Sequence, residues 1–457
     1  MTHANATDRD LTQGSIYRHM WRIGLPAALG MVFNTLYNLT DNWFAGQISD
    51  VALSGLSIAS IVFALFLALG MGLQSGTSAM VAADVGSNNR QQVIAWINCS
   101  HGITWFLSLL ILLLGWLFAL DLLHQLSDDE QIIGMAWDYT FIILIGNVFF
   151  NLTSCFAGAL IAHGNTTSYR NVLMVGFVAN WLLNPLFIFV LDLGVAGLAW
   201  STLIIKAGSA AYLWVVLKNE VGTGSKPAFN LDHWRQLLAQ IMPASMNMLT
   251  IIIGGFITIY FIAQFGDDPV AGYSVGIRIE QLLLMPALGL NAAVMALVGQ
   301  NYGAGNLERV KEIYHKSLKV AALVSVLFIP TMIFLSPLMM TQFSNSQGII
   351  DVGVYYLRAD AFAFYGYMLL FCSNAMLQAI KQPLFPLVIG ILRQMVLPIG
   401  AFYVLIEGLG YGLYSIFWAI VGIVLASSLV ALWYTRTRLN ILLDDDAKTS
   451  EKMGAEP

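Results

Sequence analysis

Charge is what this 457-residue chain has least of: Asp, Glu, Lys and Arg together make up 10% of it, against roughly 25% in an ordinary soluble domain. So few charges cannot coat a water-facing surface, which excludes the common soluble classes. Cysteine is scarce too. Cys99, Cys155 and Cys372 each lie inside an apolar stretch, without a CxxC pattern; His101 follows Cys99 by two residues, but no second Cys stands near it. That favours small buried residues over a disulfide or metal site. No His is followed by Glu, so the HExxH pattern of zinc proteases is missing. Paired catalytic acids and nucleophile constellations are missing as well, and no enzyme and no cofactor is expected. The first 17 residues are polar and lack the basic, apolar and small-residue regions of a signal peptide.

Apolar residues, by contrast, make up 58% of the chain, and the mean hydropathy is +0.72. A helix needs about 20 mainly apolar residues to cross a bilayer. Twelve such stretches are predicted, at 20–47, 53–84, 93–120, 132–161, 171–191 and 195–218, then 236–264, 270–300, 312–338, 351–379, 385–406 and 411–435. The second and eighth are long enough that they must tilt, bend or project. Basic residues alternate with this count. The N-terminal flank, the loops expected on its side and the C-terminal flank hold 17 of the 21 Lys and Arg, and the opposite loops hold none. The other four, Lys206, Arg278, Arg358 and Arg393, fall within helices. Positive loops face the cytoplasm, so the expectation is a multi-pass protein of the cytoplasmic (inner) membrane with both termini inside.

The two halves align with each other. A shift of 217 carries Pro26 onto Pro243, Gly55-Leu56-Ser57 onto Gly272-Tyr273-Ser274, and Leu160-Ile161-Ala162 onto Leu377-Gln378-Ala379. Six helices per half is an even number, so both halves enter the membrane in the same sense, as in parallel-repeat transporters. The organisation expected is an N-terminal tail (1–17), a six-helix bundle (18–218), a cytoplasmic linker (219–235), a second six-helix bundle (236–437) and a disordered tail (438–457).

The order of several short motifs resembles the multidrug and toxic compound extrusion (MATE) family. These are Leu25-Pro26 through Thr40-Asp41-Asn42-Trp43-Phe44-Ala45-Gly46, the turns Gly86…Arg90 and Gln300-Asn301-Tyr302-Gly303-Ala304-Gly305, and Asn184-Pro185 followed by Gly194-Val195-Ala196-Gly197. The resemblance covers about residues 14 to 436. It implies an all-α integral membrane fold of twelve helices in two pseudo-symmetric bundles, V-shaped, that expels amphipathic, often cationic compounds against inward H⁺ or Na⁺ flow.

Asp41 is the leading site residue. A charge at mid-bilayer costs about 3 kcal/mol on insertion scales, so an acid there is a functional candidate by default. The plain alternative is a satisfied structural Asp near the helix end. Asn34, Asn38 and Asp41 share one face by their i, i+4, i+7 spacing. The same shift of 217 lands Asp41 on Thr258, so the scaffold alone does not demand an acid. Its candidate partners are Asn180 and Asn184 beside Pro185 on helix 5, Tyr139 and Asn151 on helix 4, and Thr202 on helix 6. Asn147 and Asn151 also fit a plain helix-linking role. In the resemblance, the helix-1 Asp, helix-5 Asn and acidic positions, a helix-4 Tyr and a helix-6 Thr form the cation network. Here the acidic helix-5 position reads as Asn184. One carboxylate suffices for a proton, so H⁺ coupling is favoured; Na⁺ would be held by Asp41, Asn180 and Asn184. Pro26 is the hinge that the resemblance implies.

In the second half, Glu280, Asp360 and Arg278 are candidates for a substrate cleft, the plain alternative being structural ion pairing with Arg358 and Arg393. The expected cargo is a small amphipathic, cationic organic compound. The expected setting is a lipid bilayer, with a monomer and no nucleic-acid partner. A lipid-linked precursor flippase of the same superfamily and a passive channel are the alternative readings.

Overall fold

The computed structural model describes residues 10–222 and 224–454, with side chains to 448. Among them every regular element is helical: α1 Ile16–Ile48, α2 Asp50–Gly86, α3 Arg90–Leu126, α4 Glu130–Ala162, α5 Thr167–Pro185, α6 Gly194–Val221, α7 Leu231–Ala263, α8 Asp267–Leu283, α9 Met285–Gly303, α10 Leu307–Met340, α11 Gln347–Asp360, α12 Phe364–Ala379, α13 Leu384–Ile391, α14 Leu397–Tyr403 and α15 Tyr414–Gly454. Short polar caps separate the long apolar runs. Ser49 accepts from the Ala52 N–H at 3.0 Å to start α2, and Asp129 accepts from the Gln131 N–H at 2.8 Å to start α4. Each such cap is worth about 1 kcal/mol.

Nine of these helical stretches are long and apolar enough to cross a bilayer, and α8 with α9 makes a tenth across a 42° bend. The bend falls where Pro286, at the start of α9, has no N–H to continue the ladder. Two more of the expected crossings are present but weaker in hydropathy or length. α1 carries Asn34, Asn38, Asp41 and Asn42, and α11 is parted from α12 by a turn at 361–363. The eleventh expected stretch comprises α13 and α14, joined through a π-helical turn at Leu392–Val396 and followed by another at Val404–Gly408.

Two compact units divide the chain. One is Leu29–Met248; the other joins the residues up to Ala28 to those from Leu249 onward. For brevity these are the first-half unit and the second-half unit. Their boundaries fall inside α1 and α7, shortly after Pro26 and Pro243, whereas the sequence pattern places them at 218 and 236. The physical reason is close helix packing by small residues. A Cβ on Gly289 would sit 2.3 Å from the Gly24 carbonyl oxygen, so only glycine lets α1 approach α9 this closely. The same shift of 217 relates Gly24 to Ile241 and Gly289 to Gly72, and a Cβ on Gly72 would meet the Ile241 carbonyl at 2.6 Å. The first turns of α1 and α7 are therefore each tied to a helix of the opposite half of the sequence.

Within the first-half unit, α4 is the central helix, packed against α2, α3 and α6; in the second-half unit α11 and α12 hold the equivalent place, against α8, α9, α10 and α15. A shift of 217 relates the expected fourth stretch (132–161) to the tenth (351–379), so the two central positions are repeat-related. The three segments outside the expected bundles are docked or helical where they are described. Residues 10–15 dock on the second-half unit, where Asn301 Nδ2 donates to the Leu11 carbonyl at 3.0 Å and Arg309 to that of Gly14 at 2.8 Å. The linker runs along α3, with the Ala228 N–H donating to the Asn98 carbonyl at 3.1 Å and that of Lys226 to Asn98 Oδ1 at 2.9 Å. The tail expected to be disordered from 438 continues as helix to Gly454; Leu439 is buried, and no Gly or Pro interrupts the run before Gly454. Residues 1–9, 223 and 455–457 lie outside the described residues.

Candidate functional site

Asp41 is 5% exposed, in the interior of the first-half unit. Two fully buried amides of α5 meet it there. Asn180 Nδ2 donates to Asp41 Oδ1 at 2.8 Å and Asn184 Nδ2 donates to the same oxygen at 3.0 Å. One helical turn separates the two Asn residues, so both side chains leave α5 on one face. Ser201, on α6, donates through a short hydrogen bond to Asn184 Oδ1. That bond orients the Asn184 amide nitrogen-first toward the carboxylate. Beside this cluster the Tyr37 hydroxyl donates to Thr202 Oγ1 at 2.8 Å and interacts with Asn180. Tyr139 is buried within reach of the Asp41 charge. The cation whose field reaches Asp41 is Lys206.

Local backbone supports the geometry. Pro185 directly follows Asn184 and cannot donate to the preceding turn, and α5 widens into a π-helical turn at Leu186–Val190. The Leu191 N–H reaches back to the Leu186 carbonyl at 2.9 Å. Such turns concentrate at functional sites because they free backbone groups and re-aim side chains.

Of the expected residues, Asp41, Asn180 and Asn184 are in direct contact, and Tyr139 and Thr202 lie beside them. Asn38 and Asn151 are not brought in. Asn38 is exposed, and its carbonyl accepts from Asn42 Nδ2 at 2.9 Å. Tyr37, one full turn before Asp41, holds the inward position that Asn38 was expected to share. Asn151 donates to Ser108 Oγ at 3.0 Å and to Asn147 Oδ1 at 3.2 Å, so it ties α4 to α3. Pro26 lies inside α1, at the end of the segment that packs with the second-half unit. Tyr37 and Ser201 are the members of the neighbourhood that sequence reasoning missed, and Lys206, read there only as a base within a helix, joins them. Spacing held the signal: Tyr37 is i−4 from Asp41, Ser201 adjoins Thr202, and Lys206 is i+4 from Thr202.

The second-half unit holds a different acidic centre. Glu280 accepts a short hydrogen bond from the Tyr356 hydroxyl, and Asp360 Oδ1 accepts from the Tyr367 hydroxyl at 3.2 Å. Both acids are buried, at 6% and 1% exposure. Asp360 Oδ2 has no partner among the described residues. Arg393, in the π-helical turn before Pro398, lies 5.8 Å from the centre of the Tyr367 ring. Its charge is felt by both carboxylates. Arg278 does not join them: it is exposed, and two residues along a helix from Glu280 it leaves on nearly the opposite side. Among the described residues no group of three or more His, Cys, Asp or Glu is placed to hold a metal ion.

A match to the MatE family covers residues 26–186 and 243–404. Its two segments begin at Pro26 and Pro243, the pair that anchors the internal repeat. The chain belongs to the MATE family. Among proteins similar to it, a FAD transporter of Shewanella oneidensis is 25% identical over 414 residues, 87% of this chain and 90% of that one. The multidrug export protein MepA of Staphylococcus aureus is 22% identical over 432 residues, 91% of this chain and 92% of that one. A crystal structure of MATE in complex with MaL6 superposes with a TM-score of 0.90 at 22% identity, covering 97% of this chain and all (100%) of that one. Members of the MATE family are transporters, not enzymes, and the chain is accordingly a multi-pass membrane transporter for small organic substrates.

Proposed function

We propose that this MATE protein is a cation-coupled antiporter that exports small amphipathic organic compounds across the cytoplasmic membrane, with Asp41 carrying the coupling ion. One observation carries the reading: a buried carboxylate held by two neutral amides, at a position where the repeat-related residue is a threonine. Thr258 donates to the carbonyl of Gly254 in its own helix at 2.9 Å, an ordinary helical arrangement. Because the scaffold is satisfied without an acid there, the acid is retained for what it does.

H⁺ is the favoured ion. Both amide nitrogens point at Asp41 Oδ1, which leaves Oδ2 to take a proton. A Na⁺ ion would need the amide oxygens turned inward, against the bond from Ser201 to Asn184 Oδ1. Na⁺ coupling through Asp41, Asn180 and Asn184 is the other arrangement this residue set admits. Placing both termini in the cytoplasm rests on the one-sided distribution of Lys and Arg. A monomer is proposed because one chain already supplies both repeats.

Organic cations are the cargo that the resemblance implies. Glu280 and Asp360, the acids expected to attract them, are engaged by tyrosine hydroxyls inside the second-half unit, so the residues lend that class little support. The test is uptake into inside-out vesicles of a panel of amphipathic dyes of both charges, with pH and Na⁺ gradients imposed separately. Gradient-driven uptake that needs the pH gradient and disappears in Asp41→Asn is expected. Full gradient-driven uptake in that variant would refute the assignment.

A further inference from the structure

Lys206 lies near the midpoint of the 28-residue α6, roughly 20 Å of helix from either end. A lysine that deep cannot extend its ammonium to the interface, so its charge must be answered inside the unit. No carboxylate answers it at contact. Lys206 forms no ion pair among the described residues, and the Oδ1 of Asp41 is already taken by Asn180 and Asn184. Aromatic faces hold it instead: its Nζ is 5.3 Å from the centre of the Phe150 ring and 6.0 Å from that of Tyr37. The repeat supplies a control. A shift of 217 from Lys206 reaches Ile423, so the fold itself has no need of a cation here.

A pocket with room for about one water molecule opens at this lysine, lined by Asn34 and Tyr37 of α1, Gly176 of α5, and Ile205, Lys206 and Ser209 of α6. A cargo's anionic head would fill that room, and the rest of the cargo would lie outside it. Gly176 leaves room on the α5 side, where a Cβ would press to 3.2 Å from Ile205. An ammonium and a carboxamide converge on the pocket, and the only charge among its lining residues is positive. The ammonium repels an organic cation and attracts an anion, and the ring faces of Tyr37 and Phe150 are already turned to it.

We propose that this pocket is a subsite for the anionic group, a phosphate or carboxylate, of an aromatic cargo, with Lys206 as its counter-charge. The proposal rests on the exporter reading and names the class of cargo. Asp41 and a bound anion share the field of one ammonium, which ties cargo occupancy to the charge on the proposed coupling carboxyl.

The test is calorimetric titration of the full chain in phosphatidylcholine nanodiscs, with empty discs subtracted. The probes are 1-naphthyl phosphate, neutral 2-naphthylethanol and cationic 1-naphthylmethylammonium. The phosphate is expected to bind about tenfold or more tighter than the ammonium probe, the scale of one charge-assisted hydrogen bond. Lys206→Gln should remove that preference and Lys206→Arg should keep most of it; the Arg variant also shows that the site tolerates substitution. Equal or tighter binding of the ammonium probe, or an unchanged preference in Lys206→Gln, would overturn the proposal. Because binding needs no gradient, this failure is separable from a failure of Asp41 coupling, which only gradient-driven uptake reports.

Discussion

The two units bury acids in opposite ways. In the first-half unit a single carboxylate is met by two amides and a lysine field, and its neighbours form a chain of neutral hydrogen bonds from Ser201 through Asn184 to Asp41. In the second-half unit two carboxylates are met by phenols, with Arg393 close by. An acid whose direct partners are neutral amides can change protonation without breaking an ion pair, the change being felt by Lys206 only through its field. The two acids of the second-half unit are each held by a tyrosine hydroxyl and share the field of Arg393, so a charge change on one is felt by the others. The first arrangement suits a group that cycles, the second a group that holds a bundle together.

That contrast can be broken experimentally, and Asp41→Asn is expected to have the largest effect, bringing gradient-driven transport to background while the protein still folds. Glu280→Gln and Asp360→Asn come next. They should lower thermal stability by about 1–3 kcal/mol and reduce transport several-fold, with its pH dependence retained; loss of proton coupling in either would move the coupling site to the second-half unit. Ser201→Ala removes the bond that orients Asn184, worth about 1 kcal/mol, and should shift the pH profile of transport without abolishing it. Asn38→Ala should be smallest, within about 0.5 kcal/mol in stability and without effect on exchange, because that side chain lies outside the cluster.

Much of this was legible in the sequence because a membrane imposes simple rules. Apolar run length and basic-loop alternation marked the helices, and the repeat at 217 matched the two bundles with each other. The short-range pattern on α5 worked for the same reason: Asn180 and Asn184 have one geometry open to them in a helix. What failed depended on helix rotation and tertiary packing. The i, i+4, i+7 stripe could not say whether Tyr37 or Asn38 faced inward, since both flank the same sector. The unit boundaries at Ala28 and Met248 depend on glycine contacts between α1 and α9 and between α7 and α2, which no local pattern reports. The charged stretch after Leu442 looks solvated, yet helix propensity carries α15 through it.

The central claim is that Asp41 changes protonation during transport. Infrared difference spectroscopy of the protein in lipid tests it directly, comparing wild type with Asp41→Asn across the pH range in which cells live, before and after cargo is added. The account predicts a protonated-carboxyl band that is absent from the variant, titrates within that range and shifts when cargo binds. A wild-type spectrum in which Asp41 keeps one protonation state throughout, with or without cargo, would contradict it.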